Sequence, residues 1–270
     1  MDISHIKTAE LKAMLQQDGT DISALLQAMK QDQRVSVAAL AERFWKHKCK
    51  EEQERERVLQ MYSLETAYYN EAVYHVAGVD EAGRGPVAGP VMIAAVILPP
   101  YWDCPGLNDS KKVSPKKRDL LYDKIMAEAV AVSCVSKTEK EIDALDIYHA
   151  TMQGMYDAID GLHVQAEAVL IDAMPLERLS MRHESIVHGD AKSASIAAAS
   201  IIAKVTRDRL MLKYDEQYPQ YGFAVHKGYL TQRHVEALHQ YGPCPIHRRS
   251  FEPVKSMTAG YGEYNVKTDP

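Results

Sequence analysis

A strand-forming run with acids inside it constrains this chain more than any other feature: Val76-Ala77-Gly78-Val79-Asp80-Glu81-Ala82. A carboxylate in apolar surroundings costs several kcal/mol unless it is paired or coordinates a cation, so the fold must supply partners for both. Adjacent strand residues face opposite sides, so only one of the two points squarely at a shared site and the other reaches it from the strand's end. The theme recurs: Asp172 closes Ala168-Val169-Leu170-Ile171, and Asp190 follows Ile186-Val187-His188-Gly189 just before an Ala-rich helix. Taken singly, Asp190 reads as a helix N-cap and Asp172 as a turn residue. Taken together they predict a sheet in which the strands carrying Asp80 and Asp172 lie side by side, with the start of the last helix bringing Asp190 to the same place. Clustered acids repel one another and raise their pKa values, which makes a divalent metal the natural counter-charge. Oxygen-only ligands favour Mg²⁺ or Mn²⁺ over zinc. Two such ions about 4 Å apart align an in-line attack of water on a phosphodiester, so hydrolysis of a nucleic-acid strand is the chemistry expected.

The surrounding pattern is α/β. Residues 75–82, 87–98 and 129–137 read as three strands of an antiparallel meander, the first two separated by Gly83-Arg84-Gly85-Pro86. A helical stretch over 138–162, a strand at 166–172, a connecting helix near 175–180 and a short strand at 185–189 read as β-α-β-α-β. A long helix over 192–217 and another around 231–240 follow. Before residue 70 the texture is helical, with Ser at the N-caps of segments 23–30 and 36–69 and alternating charge over 46–57, the pattern of an exposed helix face. The division expected is a helical N-terminal extension over 1–72, a catalytic domain with C-terminal helices over 73–256, and a flexible tail over 257–270.

With 46% hydrophobic residues in 270, the chain has enough apolar material for a real core. Its longest apolar runs fall far short of the roughly 20 residues a membrane span needs, and the N-terminus lacks a basic-then-apolar layout, so a soluble, cytoplasmic protein with no membrane partner is expected. Cys49, Cys104, Cys134 and Cys244 lie far apart with no Cys-x-x-Cys pair, which argues against both a zinc site and a disulfide framework. A formal net charge of -5 has the wrong sign for phosphate binding, but positive charge gathers at Lys111, Lys112, Lys116, Lys117 and Arg118, at Lys192, Lys204, Arg207 and Arg209, and at Lys227, Arg233, Arg248 and Arg249. Such clusters alone read as a solvated face; beside a carboxylate site they become candidates for holding a nucleic-acid backbone. His226, His234 and His247 lack the spacing of a zinc helix and are expected in core or backbone-bonding roles.

Gly83-Arg84-Gly85 is not a dinucleotide fingerprint, because the third glycine falls at Gly89 and Pro86 intrudes; Gly189-Asp190-Ala191-Lys192-Ser193 likewise lacks the spacing of a Walker loop. A tight glycine turn beside carboxylates has another use, since its backbone groups approach a sugar edge closely, and the 2′-hydroxyl is what tells RNA from DNA. The string Asp80-Glu81-Ala82-Gly83-Arg84-Gly85-Pro86 closely resembles the signature of ribonuclease HII. Further matches follow in order: Asn108-Asp109-Ser110-Lys111-Lys112, Leu170-Ile171-Asp172, Gly189-Asp190-Ala191-Lys192-Ser193 with the Ala-rich helix, His226-Lys227-Gly228-Tyr229, and Pro245-Ile246-His247-Arg248-Arg249-Ser250-Phe251.

The resemblance covers residues 75–254 and implies a ribonuclease H-like fold, a mixed central sheet with flanking helices. It also implies that Asp80, Glu81, Asp172 and Asp190 form the catalytic, metal-binding set, holding two Mg²⁺ or Mn²⁺ ions with Asp80 between them. Substrates of this class are RNA/DNA hybrids and duplex DNA with embedded ribonucleotides, and the cut ends carry 5′-phosphate and 3′-hydroxyl. Gly83, Arg84 and Gly85 are implied to address the 2′-hydroxyl, and a tyrosine to pack on the deoxyribose beyond the junction, with Tyr218 the best match and Tyr221 close by. Ser110, Lys111, Lys112, Lys192 and Ser193 are expected to hold the backbone, the last two at a helix N-terminus, with salt-sensitive affinity. Val113 departs from an expected leucine conservatively. Residues 1–70 fall outside the resemblance and do not resemble the sheet-containing N-terminal domain of the sister ribonuclease HIII, so a helical accessory role is expected, in a monomer. Two other classes stay open on the residues: another carboxylate nuclease of the same fold, such as a resolvase or exonuclease, and a non-catalytic hybrid-binding module.

Overall fold

The structure, a computed structural model, describes residues 1–17, 19 and 21–259. Three helices come first, α1 (Thr8–Met14), α2 (Ile22–Lys30) and α3 (Val35–Gln60). Asp21 caps α2 by accepting from the Ala24 N–H. The chain divides into two compact units, 1–57 and 58 onward. In the first, Leu11, Leu25, Met29, Val37 and Ala41 form an apolar core of their own, and Arg34 fastens the N-terminal turn by donating to the Ile3 and Ile6 carbonyls.

The second unit begins with the end of α3 and continues through α4 (Ser63–Tyr69), β1 (Val76–Ala82), β2 (Val91–Ile97), α5 (Pro115–Glu128), β3 (Ala131–Lys137), α6 (Glu139–Leu145), α7 (Ile147–Asp160), β4 (Ala168–Asp172) and β5 (Arg182–Ile186). It closes with α8 (Ala194–Gln217), α9 (Phe223–His226), α10 (Gln232–Tyr241) and α11 (Val254–Ala259). The sheet runs β3-β2-β1-β4-β5, antiparallel among the first three and parallel from β1 to β4 and β4 to β5. This is the mixed sheet with flanking helices expected. Alternation sorts its faces. Ala77 and Val79 of β1 join Ile93 and Ala95 of β2 against α7, while Val76 of β1 and Met92, Ala94 and Val96 of β2 pack towards α5 and α8. Burial on both faces explains the unbroken apolar texture of β2.

Gly78 marks the closest approach of α8 to the sheet: a Cβ there would collide with the backbone of Ser195 and Ile196. The obstacle is backbone and cannot swing aside. Gly78→Ala is therefore expected to destabilise the catalytic unit by about 3 kcal/mol or more, read as a lowered denaturant midpoint.

Several boundaries differ from expectation. β2 starts at Val91, because the preceding loop holds Gly89 at positive φ and Pro90 has no N–H to give a ladder. The helix expected near 175–180 is absent, and the chain there runs irregularly into β5, which spans 182–186 instead of 185–189. β5 is an edge strand whose residues Arg182, His183, Glu184 and Ser185 are exposed, so apolar alternation carries no signal. The stretch 138–162 is two helices because Asp146 takes φ 68° and caps α7 through His149. Helix α5 was not expected, although Ser114 followed by Pro115 is a start signal. The segment expected as one helix over 36–69 breaks at Met61 and Tyr62. Of the tail expected over 257–270, residues 257–259 close α11 and the rest lies outside the described residues.

Candidate active site

Parallel pairing of β1 with β4 puts Val79 opposite Ile171, so the next residue on each strand, Asp80 and Asp172, emerge abreast. Asp80 shares the face of Gly78 and pairs with Ala94, which turns it towards α8; Glu81 pairs with Ile93 and starts on the opposite face. Asp190 arrives from a 3₁₀ turn, Gly189–Ala191, entered through His188 in the left-handed region. The turn is tied to the strand end by the Gly189 N–H, which donates to Asp172 Oδ1 at 2.7 Å.

One carboxylate oxygen each from Asp80, Asp172 and Asp190 all lie within 4.8 Å of one another. Burial holds the Asp80 carboxyl well above its ordinary pKa, with the Glu81 and Asp172 charges adding to it. Glu81 is also raised, mainly by burial, and Asp190 by burial and then by the charges of Asp109 and Asp172. Glu81 stands just outside the trio: its Oε1 lies 3.5 Å from Arg84 Nη1, and its Oε2 is buried without a hydrogen-bond partner. Three convergent carboxylates and an orphaned carboxylate oxygen fit a hard divalent cation; with a cation between them, the repulsion that raises the acids becomes attraction.

The glycine turn lies beside this cluster. Glu81, Gly83, Arg84, Gly85, Lys111 and Tyr229 line a common cleft, with Arg84 and Gly85 exposed. Lys111 Nζ lies 3.8 Å from Asp190 Oδ2, and Lys112 reaches Asp109 at 3.9 Å with its head in solvent. Ser110, also in the cleft wall, is buried and its Oγ accepts from Ser200 at 2.7 Å. Lys192 is exposed and donates to the Val187 carbonyl.

Two expectations need correction. Ser193 is fully buried; its hydroxyl caps α8 at Ile196 and donates to Glu65 Oε1 at 2.6 Å, which leaves nothing for a phosphate. Tyr218 is absent from the residues lining the cleft and packs against the cluster of Met211, Tyr221 and Phe223. Tyr221 is core as well, with its hydroxyl donating to the Gly242 carbonyl. The tyrosine at the cleft is Tyr229, about half exposed, and a Cβ on Gly85 would lie 3.6 Å from its ring. Its signal was available: it ends His226-Lys227-Gly228-Tyr229, where Lys227 and Gly228 at positive φ form a turn whose Gly228 carbonyl accepts from the Val87 N–H.

Asp109 and Glu65 were also passed over. Asp109 caps the 3₁₀ turn Ser110–Lys112 and its charge helps to raise Asp190, adding a fifth acid. The three histidines bond backbone as expected: His226 donates to the Tyr221 carbonyl, accepts from the Gly228 N–H and stacks on His234, which is linked to His247. His234 donates to the Tyr229 carbonyl, accepts from His247 at 3.0 Å, and His247 in turn accepts from the Cys244 N–H. Burial pushes both down to about 4.

Comparison with known proteins identifies the family. The family model for ribonuclease HII matches residues 77–254, and that for the ribonuclease HII N-terminal domain matches residues 7–69. Ribonuclease HII of Bacillus cytotoxicus is 46% identical over 248 residues, 92% of this chain and 95% of that protein. Ribonuclease HII of a Geobacillus species is also 46% identical, over 92% of this chain and 89% of that one. Among solved structures, ribonuclease H2 from Pyrococcus horikoshii superposes with a TM-score of 0.60 at 28% identity, covering 70% of this chain and 99% of its own. The chain belongs to the ribonuclease HII family and is a metal-dependent ribonuclease H, a phosphodiester hydrolase.

Proposed function

We propose that this protein is an endonuclease that hydrolyses the RNA strand of RNA/DNA hybrids and cuts beside single ribonucleotides embedded in duplex DNA, leaving 5′-phosphate and 3′-hydroxyl ends. It acts as a cytoplasmic monomer using two divalent ions, Mg²⁺ or Mn²⁺. The observation that carries this reading is the meeting of Asp80, Asp172 and Asp190 within 4.8 Å beside a glycine turn. No helix among the described residues is long and apolar enough to cross a membrane.

Asp80, Asp172 and Asp190 would hold the cations, and Glu81 would add its orphaned oxygen. The bound ions supply counter-charge and Lewis acidity for an in-line attack of water on phosphorus. The chain's own groups then orient the strand. Backbone N–H groups of the turn 83–85 face the 2′-hydroxyl, a group able to donate and accept, and so favour ribose over deoxyribose. Tyr229, in place of Tyr218, offers a half-exposed ring to the neighbouring deoxyribose. Lys111, Lys112 and Lys192 stand around the acids as phosphate contacts, which fix register without reading sequence.

The test is a 3′-labelled DNA duplex carrying one ribonucleotide, beside the same duplex in all-DNA form and a long hybrid. Mn²⁺- or Mg²⁺-dependent cutting next to the ribonucleotide, with the all-DNA duplex intact, is the expected result. Cutting of the all-DNA duplex, or digestion only from an end, would instead assign the site to a resolvase or an exonuclease.

A further inference from the structure

Two arginines from the basic clusters are not on the surface at all. Arg207 and Arg248 are the bulkiest fully buried side chains among the described residues, exposed by 1% and 0%. A buried guanidinium is expensive, and here burial together with the neighbouring Arg207 charge pushes Arg248 down to about 9. What each meets is backbone oxygen. Arg248 donates from Nη2 to the Gly83 carbonyl at 2.6 Å, from Nη1 to the Arg84 carbonyl at 2.8 Å, and from Nε and Nη2 to Gly89 at 2.9 and 2.7 Å. Arg207 takes the carbonyls of Ala88, Pro90 and Lys227. It also lies where a Cβ on Gly83 would be, which is why that position is glycine at φ 99°.

Peptide planarity turns this into a statement about donors. In a trans peptide the carbonyl of one residue and the N–H of the next point in opposite directions. With the Gly83 and Arg84 carbonyls held by Arg248, the N–H groups of Arg84 and Gly85 are turned away from it, and both residues are exposed in the cleft. Neither N–H has an acceptor among the described residues.

We propose that Arg248 is a positioning residue for sugar selection: by holding the two carbonyls it orients the Arg84 and Gly85 N–H groups as a preset donor pair for the 2′-hydroxyl. This rests on the reading of the glycine turn given above. Lysine at 248 keeps a charge but offers a point donor in place of a planar fork, so it cannot hold three carbonyls in one geometry. An all-DNA duplex has no 2′-hydroxyl and is indifferent to the change.

The experiment compares wild type and Arg248→Lys in two measurements: kcat/KM on the duplex carrying one ribonucleotide, and the inhibition constant of the all-DNA duplex as competitor. Arg248→Lys is expected to lower kcat/KM about tenfold, the worth of one or two hydrogen bonds, with the all-DNA constant within about twofold of wild type. Parallel losses in both, or no loss in either, would overturn the role of Arg248. A wild-type enzyme with no preference for the ribonucleotide would overturn the reading of the turn itself. If Arg248→Lys does not fold, Phe251→Leu serves instead, since it keeps the guanidinium but removes the ring 5.0 Å from it and so loosens its hold on the carbonyls. The same split, about threefold on kcat/KM alone, is then expected, and equal effects on both measurements count against the proposal.

Discussion

Asp80→Asn is expected to lower kcat by on the order of 10³-fold or more while making the metal-free protein more stable by about 1–3 kcal/mol. Both effects come from one charge. Asp80 is 4% exposed and held against Glu81, Asp172 and Asp190, so in the absence of a cation its ionised form is opposed by burial and by like charge. An amide of the same shape removes that opposition and keeps the acceptor for the Glu81 N–H. It also removes one of the carboxylates that would hold a cation, and a bound cation's Lewis acidity is worth several kcal/mol of transition-state charge stabilisation. Steady-state rates on the ribonucleotide duplex and thermal unfolding in a chelator check the two halves. A variant that is both inactive and less stable would point to lost packing instead of lost charge.

The second large effect is at Glu65, on α4. Its Oε1 accepts from the Ser193 hydroxyl at 2.6 Å and from the Ser195 N–H and hydroxyl at 3.0 and 2.7 Å, pinning the start of α8 three residues after Asp190. Its Oε2 is buried without a partner. Glu65→Ala leaves the buried Ser195 N–H and one of the two serine hydroxyls unanswered and a void, for a cost of about 3 kcal/mol and a drop of roughly 6–12 °C in Tm. Glu65→Gln keeps the accepting oxygen and is expected to match or exceed wild type at neutral pH. The pH dependence separates them. Burial raises the Glu65 pKa in the folded state, so between the ordinary 4.5 and that raised value the folded protein binds more protons than the unfolded one. The Glu65 contribution is therefore fullest below 4.5 and declines as pH rises through that window, a slope that Glu65→Gln lacks. Denaturant midpoints of the three proteins from pH 4 upward would show it; identical slopes in wild type and Glu65→Gln would count against it.

Much of this site is legible before folding because burying charge is costly. Asp80 and Asp172 stand out since each interrupts or ends an apolar strand, and parallel pairing of β1 with β4 is all that is needed to bring them abreast. Asp190 stands out by lying between a strand and a helix. What escapes is whatever depends on the direction of a side chain that looks ordinary in sequence. Ser193 has the composition and place of a phosphate contact, yet its hydroxyl turns inward to Glu65, a residue 128 positions away. Tyr218, Tyr221 and Tyr229 are alike to pattern reading, and only the turn at Lys227 and Gly228 puts the third of them at the cleft. Arg248 counts as surface charge in any tally of basic residues and is in fact wholly buried. The edge strand β5 escapes because the apolar period on which strand detection relies is missing from an exposed edge.

If Asp80, Asp172 and Asp190 form one cation site, calorimetric titration of Mn²⁺ into wild type and Asp172→Asn, in buffers of different ionisation enthalpy, will show it. Burial and mutual repulsion raise Asp80 and Asp190 while a bound cation favours their ionised forms, so wild-type affinity should climb as pH rises through their titration, with proton release there visible as a buffer-dependent heat. Asp172→Asn should bind at least about tenfold more weakly with the fold intact. Mn²⁺ binding of equal strength in both proteins would mean that Asp172 is no part of a cation site.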